Sequence, residues 1–218
     1  MEDLAFIRDR IQQSISVKQR WLGDDALLRT IERVAEEMVN VFRRKGKVLF
    51  CGNGGSAADA QHLSAELSGR FYSDRDPLDS EALHVNTSFL TAVANDYSFD
   101  EVYARLVKAK GSPGDMLVGI STSGNSSNII RALEAAQQLG MITVGMTAES
   151  GGRMKSGCNY LINIPSTDTP RIQESHILAG HIICEMVEKQ LFTARPDDRV
   201  EERDIRIADE AHQQRRPR

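Results

Sequence analysis

His62 and Glu66 stand four residues apart in a stretch, Ser56–Ser68, that reads as a helix, so both side chains share one face, one turn apart. A second apolar-periodic stretch, Ile172 to about Phe192, carries Gln173, Glu174, His176 and His181. Two histidines with a carboxylate are a donor set for Zn²⁺ or Fe²⁺, and Gln173 could complete it through its amide oxygen. The same residue types also make ordinary surface His/Glu hydrogen bonds and satisfied core histidines. On one continuous helix Gln173 and His181 lie about 12 Å apart along the axis. To reach one ion, Gln173 must precede the regular helix, which Pro170 would allow as a helix-start residue, or one ligand must come from a neighbouring subunit.

A second kind of chemistry sits in two short loops. Cys51-Gly52-Asn53-Gly54-Gly55-Ser56 follows the apolar run Val48-Leu49-Phe50, and Ser121-Thr122-Ser123-Gly124-Asn125-Ser126 follows Met116–Ile120. Each opens into a helical stretch. A strand, a tight Gly/Ser loop and a helix N-terminus together aim backbone N–H groups and the positive end of the helix dipole at one point, which suits a phosphate. Neither loop contains a cation, and Gly-Lys-Ser/Thr is absent, so a single terminal phosphate, as on a sugar phosphate, fits better than a polyphosphate. Gly52–Ala57 also fits a dinucleotide G-x-G-x-x-A pattern. However, the segment some 20 residues on, Phe71–Pro77, is turn-rich, with no strand to deliver the acidic residue that reading needs.

The elements that must position these groups alternate. Apolar periodicity of three and four runs from Leu4 to about Arg44, interrupted at Gly23-Asp24-Asp25, and predicts two amphipathic helices that are candidates for packing on another subunit. Strands are expected at Lys47–Cys51, Glu81–Val85 (weaker), Met116–Ile120, Ile142–Thr147 and Tyr160–Ile164. Between them come helices at Ser56–Ser68, Ser88–Leu106 (broken near Asn95–Ser98) and Ser126–Leu139, with a last helix after them from Ile172. Strands alternating with helices of this length mean an α/β fold with right-handed crossovers and a parallel sheet covered on both faces. The segment from Ala194 to Arg218 carries seven basic and seven acidic residues and no aromatic, and is expected to be a solvated, partly disordered tail on a single domain spanning 1–193.

The net charge of −4 leaves no electrostatic footprint for nucleic acid. No apolar stretch approaches the ~20 residues needed to span a bilayer, and Met-Glu-Asp-Leu does not begin a signal peptide. Three cysteines, Cys51, Cys158 and Cys184, show no metal spacing, and reduced thiols in a cytoplasmic protein are expected.

With these residues in view, the sequence resembles the phosphoheptose isomerases of the sugar-isomerase (SIS) domain family from about Leu4 to Phe192. The matching motifs are Cys-Gly-Asn-Gly-Gly-Ser at 51–56, Asp-Ala-Gln-His at 59–62, Ala-Asn-Asp-Tyr at 94–97, Gly-Ile-Ser-Thr-Ser-Gly-Asn-Ser at 119–126, and Arg-Ile-Gln-Glu-Ser-His at 171–176 followed by His181. The chain departs from the family at Leu78-Asp79-Ser80 and Val85-Asn86-Thr87-Ser88, around the second strand. The resemblance implies a three-layer α/β/α sandwich with a parallel five-stranded sheet, and a homotetramer with active sites between subunits. It also implies one Zn²⁺ per subunit held by His62, Glu66, Gln173 and His181. The sugar phosphate would be bound by Asn53, Gly54, Gly55, Ser121, Thr122, Ser123 and Ser126, with Asn95, Asp96 and Gln173 on the sugar and Ser56 assisting.

Aldose–ketose isomerisation needs a base to lift a proton beside a carbonyl and an acid to return one to the neighbouring carbon. Glu66 is the expected base and His181 its partner, with Glu66 also touching substrate. The expected reaction converts sedoheptulose 7-phosphate to D-glycero-D-manno-heptose 7-phosphate. The alternative is a non-catalytic SIS module, either a phosphosugar-sensing regulator or a replication-initiator-associating protein. A pure binding protein has no need of the complete His62, Glu66, Gln173 and His181 set.

Overall fold

Asp24 ends one helix and starts the next: its carboxylate accepts hydrogen bonds from the Ala26 and Leu27 amides at 3.0 and 3.1 Å, an N-cap ahead of an apolar-periodic run. The computed structural model describes residues 2–192. In it α1 (Glu2–Leu22) and α2 (Asp25–Arg43) precede β1 (Val48–Gly52), α3 (Gly55–Ser68), β2 (Ser80–Ala82), α4 (Thr87–Asp96), α5 (Val102–Lys110), β3 (Met116–Ile120), α6 (Ser127–Gln138), β4 (Ile142–Ala148), β5 (Tyr160–Ile164) and α7 (Thr169–Phe192). The charged segment 194–218 lies outside the described residues.

All five strands are parallel, in the order β2-β1-β3-β4-β5, with Phe50 opposite Val118 and Val118 opposite Val144. Every residue of β1 and β3 is buried, as in a sheet covered on both faces. Because successive strand residues point to opposite faces, Val48 and Phe50 join a core with α1, α2, α3 and α7, while Leu49 and Cys51 join a second core with α4, α5 and α6. This is the expected three-layer α/β/α architecture.

Three expectations change in detail. The weak second strand shrinks to Ser80–Ala82, because Asn86 caps α4 by accepting from the Phe89 amide at 3.0 Å and the chain must turn first. The last helix begins at Thr169 rather than Ile172, with Pro170 in its first turn, where no amide hydrogen bond is lost. Finally, α2 is not left for a partner: Leu27, Ile31, Val34, Met38 and Val41 are all buried in the chain's own core. Helix α1 instead leaves a row of apolar side chains bare, with Leu4, Phe6, Ile7, Ile11 and Ile15 all exposed.

Helices α3 and α7 run side by side in the same direction. A Cβ on Gly180 would fall 2.5 Å from both Leu63 methyl groups, so any larger residue here would displace the Leu63 side chain. Nearby, His176 of α7 is fully buried, and its Nε2 donates to the Thr147 carbonyl at 3.2 Å. The three thiols are free; Cys51 and Cys184 are buried, Cys158 is half-buried, and burial raises the pKa of each.

Burial lowers the His176 pKa from 6.5 to about 4, against the opposing pull of the Thr147 bond. As pH falls through this window the unfolded chain takes up a proton that the folded chain refuses. The stabilisation is therefore complete above pH 6.5 and is lost towards pH 4, by roughly 3 kcal/mol in all. Urea midpoints measured across this range should fall less steeply in His176→Gln, which still donates to Thr147 but does not titrate.

Candidate active site

One turn of α3 sets His62 beside Glu66, and α7 brings His181 to both. His62 Nε2 is 3.1 Å from Glu66 Oε1 and 3.2 Å from His181 Nε2, with the two imidazole rings tilted by 58°. One ligand atom from each of the three residues lies within 4.8 Å of the others. Without a cation, a single hydrogen bond at most can join two facing ring nitrogens; a cation among them would engage all three donors at once. His62 is half-exposed and Glu66 and His181 are partly so, which leaves coordination positions open to solvent. Three protein ligands with an open side are the pattern of a catalytic rather than a structural zinc site, and the donor types suit Zn²⁺ or Fe²⁺. One turn back along α3, burial raises the pKa of the Asp59 carboxyl while His62 pulls it down.

Gln173 is elsewhere. It lies inside the regular helix α7, two turns before His181, so the option that it precedes the helix does not hold. A Cβ on Gly55 would fall 2.6 Å from Gln173 Nε2, which places this amide against the first Gly/Ser loop. In the structure the Gln173 amide rests at this loop.

The two Gly/Ser loops meet where the strand order reverses. Asn53–Ser56 leaves the C-terminal end of β1 for α3, and Ser121–Ser126 leaves the C-terminal end of β3 for α6; β1 and β3 are neighbours whose next strands lie on opposite sides. In open α/β sheets this crevice is where ligands bind. Ser121 Oγ lies 3.0 Å from Ser126 Oγ and 3.4 Å from Ser123 Oγ, so three hydroxyls cluster, with Thr122 half-buried among them. Gly54 and Gly55 are exposed at the start of α3, and Ser56 is buried.

Sequence reasoning missed one residue here. The Asn128 and Asn53 side-chain amides exchange two hydrogen bonds of 2.9 Å, tying the loops together. Asn128 is buried, so its amide is committed to this pairing, while Asn53 is half-buried. An asparagine in the first turn of a helix reads as a solvated or capping group, so nothing in the sequence marked it. Asn95 and Asp96, at the end of α4, are exposed and bonded to each other at 2.9 Å; their helix belongs to the core opposite to that of α3 and α7.

The sheet, its loops and this cluster define an α/β phosphate-binding domain of one known class. The SIS domain family model matches residues 23–148. The phosphoheptose isomerase of Aneurinibacillus thermoaerophilus is 53% identical over 86% of this chain and 94% of its own length. The solved phosphoheptose isomerases of Neisseria gonorrhoeae and Francisella tularensis match with TM-scores of 0.79 and 0.82 at 41% and 36% identity, over 85% and 87% of this chain and 98% and 100% of theirs. The chain therefore belongs to the SIS-domain family and, within it, to the phosphoheptose isomerases. It is an enzyme, an isomerase.

Gly124 tests the second loop. It has φ +65°, and a Cβ there would meet the Gly151 carbonyl at 2.4 Å, so Gly124→Ala must push the loop off its support. Isothermal titration should show about tenfold weaker binding of a sugar phosphate.

Proposed function

We propose that this chain interconverts sedoheptulose 7-phosphate and D-glycero-D-manno-heptose 7-phosphate, the first step towards ADP- or GDP-activated heptose. The observation that carries the reading is the convergence of His62, Glu66 and His181 one helix away from a cation-free phosphate cradle. From Gly55 to His62 is seven residues, about 10 Å along α3. That is comparable to the reach of an open-chain seven-carbon sugar from its phosphate to its carbonyl end. The names borne by the matching full-length relatives support the same substrate class.

In this reading the α3 and α6 N-termini hold the phosphate, with Ser121, Thr122, Ser123 and Ser126 donating hydroxyl hydrogen bonds and Gly54 and Gly55 donating amides. Gln173, beside Gly55, contacts the sugar near its phosphate end. Binding energy taken there holds the first two carbons against the catalytic pair. Glu66 takes the proton from the carbon beside the carbonyl, His181 exchanges the proton between the two oxygens, and the product leaves after Glu66 returns its proton to the neighbouring carbon. A Zn²⁺ held by His62, Glu66 and His181 would supply Lewis-acid stabilisation of the negative charge that develops on the oxygens of the enediolate.

The open side of the cluster and the bare apolar face of α1 support assembly as a homotetramer with sites between subunits, where a second copy would bring Asn95, Asp96 or Gln173 to the cluster. No described helix is long and apolar enough to cross a membrane.

NMR in D₂O of sedoheptulose 7-phosphate with the zinc-loaded protein should develop aldoheptose phosphate signals. These should disappear on chelation, and Glu66→Gln should bind the substrate yet turn it over at least ~100-fold more slowly. Near-normal turnover in Glu66→Gln would remove Glu66 as the base; tight binding without conversion by the wild type would favour the phosphosugar-sensing module.

A further inference from the structure

We propose that the buried Arg75–Glu188 pair is a positioning device for the active site, fixing α3 against α7 at the register that brings His62 and Glu66 to His181. This rests on the reading of those three residues as the working cluster.

The Arg75 and Glu188 side chains are 2% and 6% exposed, and Arg75 Nε donates to Glu188 Oε2 at 3.1 Å. Their remaining bonds do not scatter through the core. Arg75 Nη2 donates to the Glu66 carbonyl at 2.8 Å and Nη1 to the Leu67 carbonyl at 2.9 Å. These are last-turn carbonyls of α3, a turn that holds no basic residue of its own, so the guanidinium supplies its C-terminal cap. Glu188 belongs to α7, seven residues beyond His181, two turns on and on the same face. Its carboxylate also accepts from the backbone amides of Phe71, Tyr72 and Ser73 at 3.1, 2.9 and 2.8 Å. Phe71, held this way, lays its ring 5.8 Å from the His181 ring. One ion pair thus grips the end of the helix that carries His62 and Glu66, the helix that carries His181, and the aromatic side chain that borders His181.

Stability alone is a poor account of such a pair, because a buried ion pair generally stabilises a fold no better than apolar residues of the same volume. Direction is what it adds. Sliding one helix by one residue moves its side chains by 1.5 Å, and a misplacement of about 1 Å at reacting groups costs ~100-fold in rate. Apolar contact between Leu63 and Gly180 brings the helices together, and the fork of Arg75 on fixed carbonyls sets their axial position.

The test compares the wild type with Arg75→Lys, Glu188→Gln and the double variant Arg75→Met/Glu188→Leu, which strands no buried charge. Each is measured for kcat and KM on sedoheptulose 7-phosphate, for Zn²⁺ affinity by chelator competition, and for Tm. In the double variant kcat should fall ~100-fold and Zn²⁺ affinity about tenfold or more. KM should stay unchanged, since the phosphate loops lie at the other end of α3. Arg75→Lys, which keeps the charge and one donor, should recover part of both losses. A folded double variant with wild-type kcat and Zn²⁺ affinity overturns the inference, and so does one that loses only Tm. Should the double variant not fold, Arg75→Lys and Glu188→Gln decide: wild-type kcat and Zn²⁺ affinity in both overturn the inference equally. If the wild type converts no sugar phosphate, the isomerase reading fails by itself, and the Zn²⁺ affinities still decide the role of the pair.

Discussion

The bare backbone of Gly180 against Leu63 is the contact on which the rest of the active site depends. It lets α3 and α7, which run parallel, approach so closely that a Cβ at 180 would displace the Leu63 side chain. At the register the two helices share, the neighbours follow in order: Gly55 meets Gln173, His62 meets His181, and the loop after α3 meets Glu188. Two helices from distant parts of the chain are thereby made into one surface, and the donor atoms of three residues converge on it. The cost is a site that cannot shift piecemeal: moving His181 moves Gln173 as well.

The same register separates two kinds of chemistry along one helix. In the proposed reading, anion binding at the N-terminal end of α3 uses amides, hydroxyls and the helix dipole, and neither loop contains a lysine or arginine. A phosphate held this way is bound by geometry rather than by net charge, which suits a ligand that must leave after each turnover. Two turns further on, imidazoles and a carboxylate replace the amides, and the site is open enough for a sugar to reach them. A polyphosphate would find no counter-charge, and a ligand too short to span the helix would reach only one end.

Much of this was legible in the sequence, for identifiable reasons. The strand–loop–helix junctions at 51–56 and 116–126 were plain because turn chemistry and periodicity are local, and the i,i+4 spacing of His62 and Glu66 needs nothing but helical geometry. His181 joined them only through tertiary packing, so the residues alone offered a donor set without a location. Gln173 shows the limit most clearly: its distance from His181 along a helix was calculable, yet whether the helix began before it depended on how Pro170 was placed. Asn128, Arg75 and Glu188 went unmarked because a buried polar residue and a solvated one are the same letter until the fold says which neighbours surround it. The fate of α2 was misjudged for a related reason, since an amphipathic face does not say which surface covers it.

Polar and apolar contacts divide the work on α3 by what each can specify. Hydrophobic burial is non-directional, so Leu63 and Leu67 settle only that the helix lies on the sheet and on α7. Hydrogen bonds have narrow geometry, and here they occupy both ends of the helix. The paired amides of Asn53 and Asn128 fix the turn that leads into it, and the Arg75 fork fixes its last carbonyls. In the proposed reading those are also the two ends at which the ligand is met, phosphate at one and reacting carbons towards the other. A helix packed by apolar residues alone would be equally well buried after a small slide or roll. Anchored at both ends by buried polar links, it has one position, and the distance between the phosphate cradle and the His62–Glu66–His181 cluster becomes a fixed property of the fold.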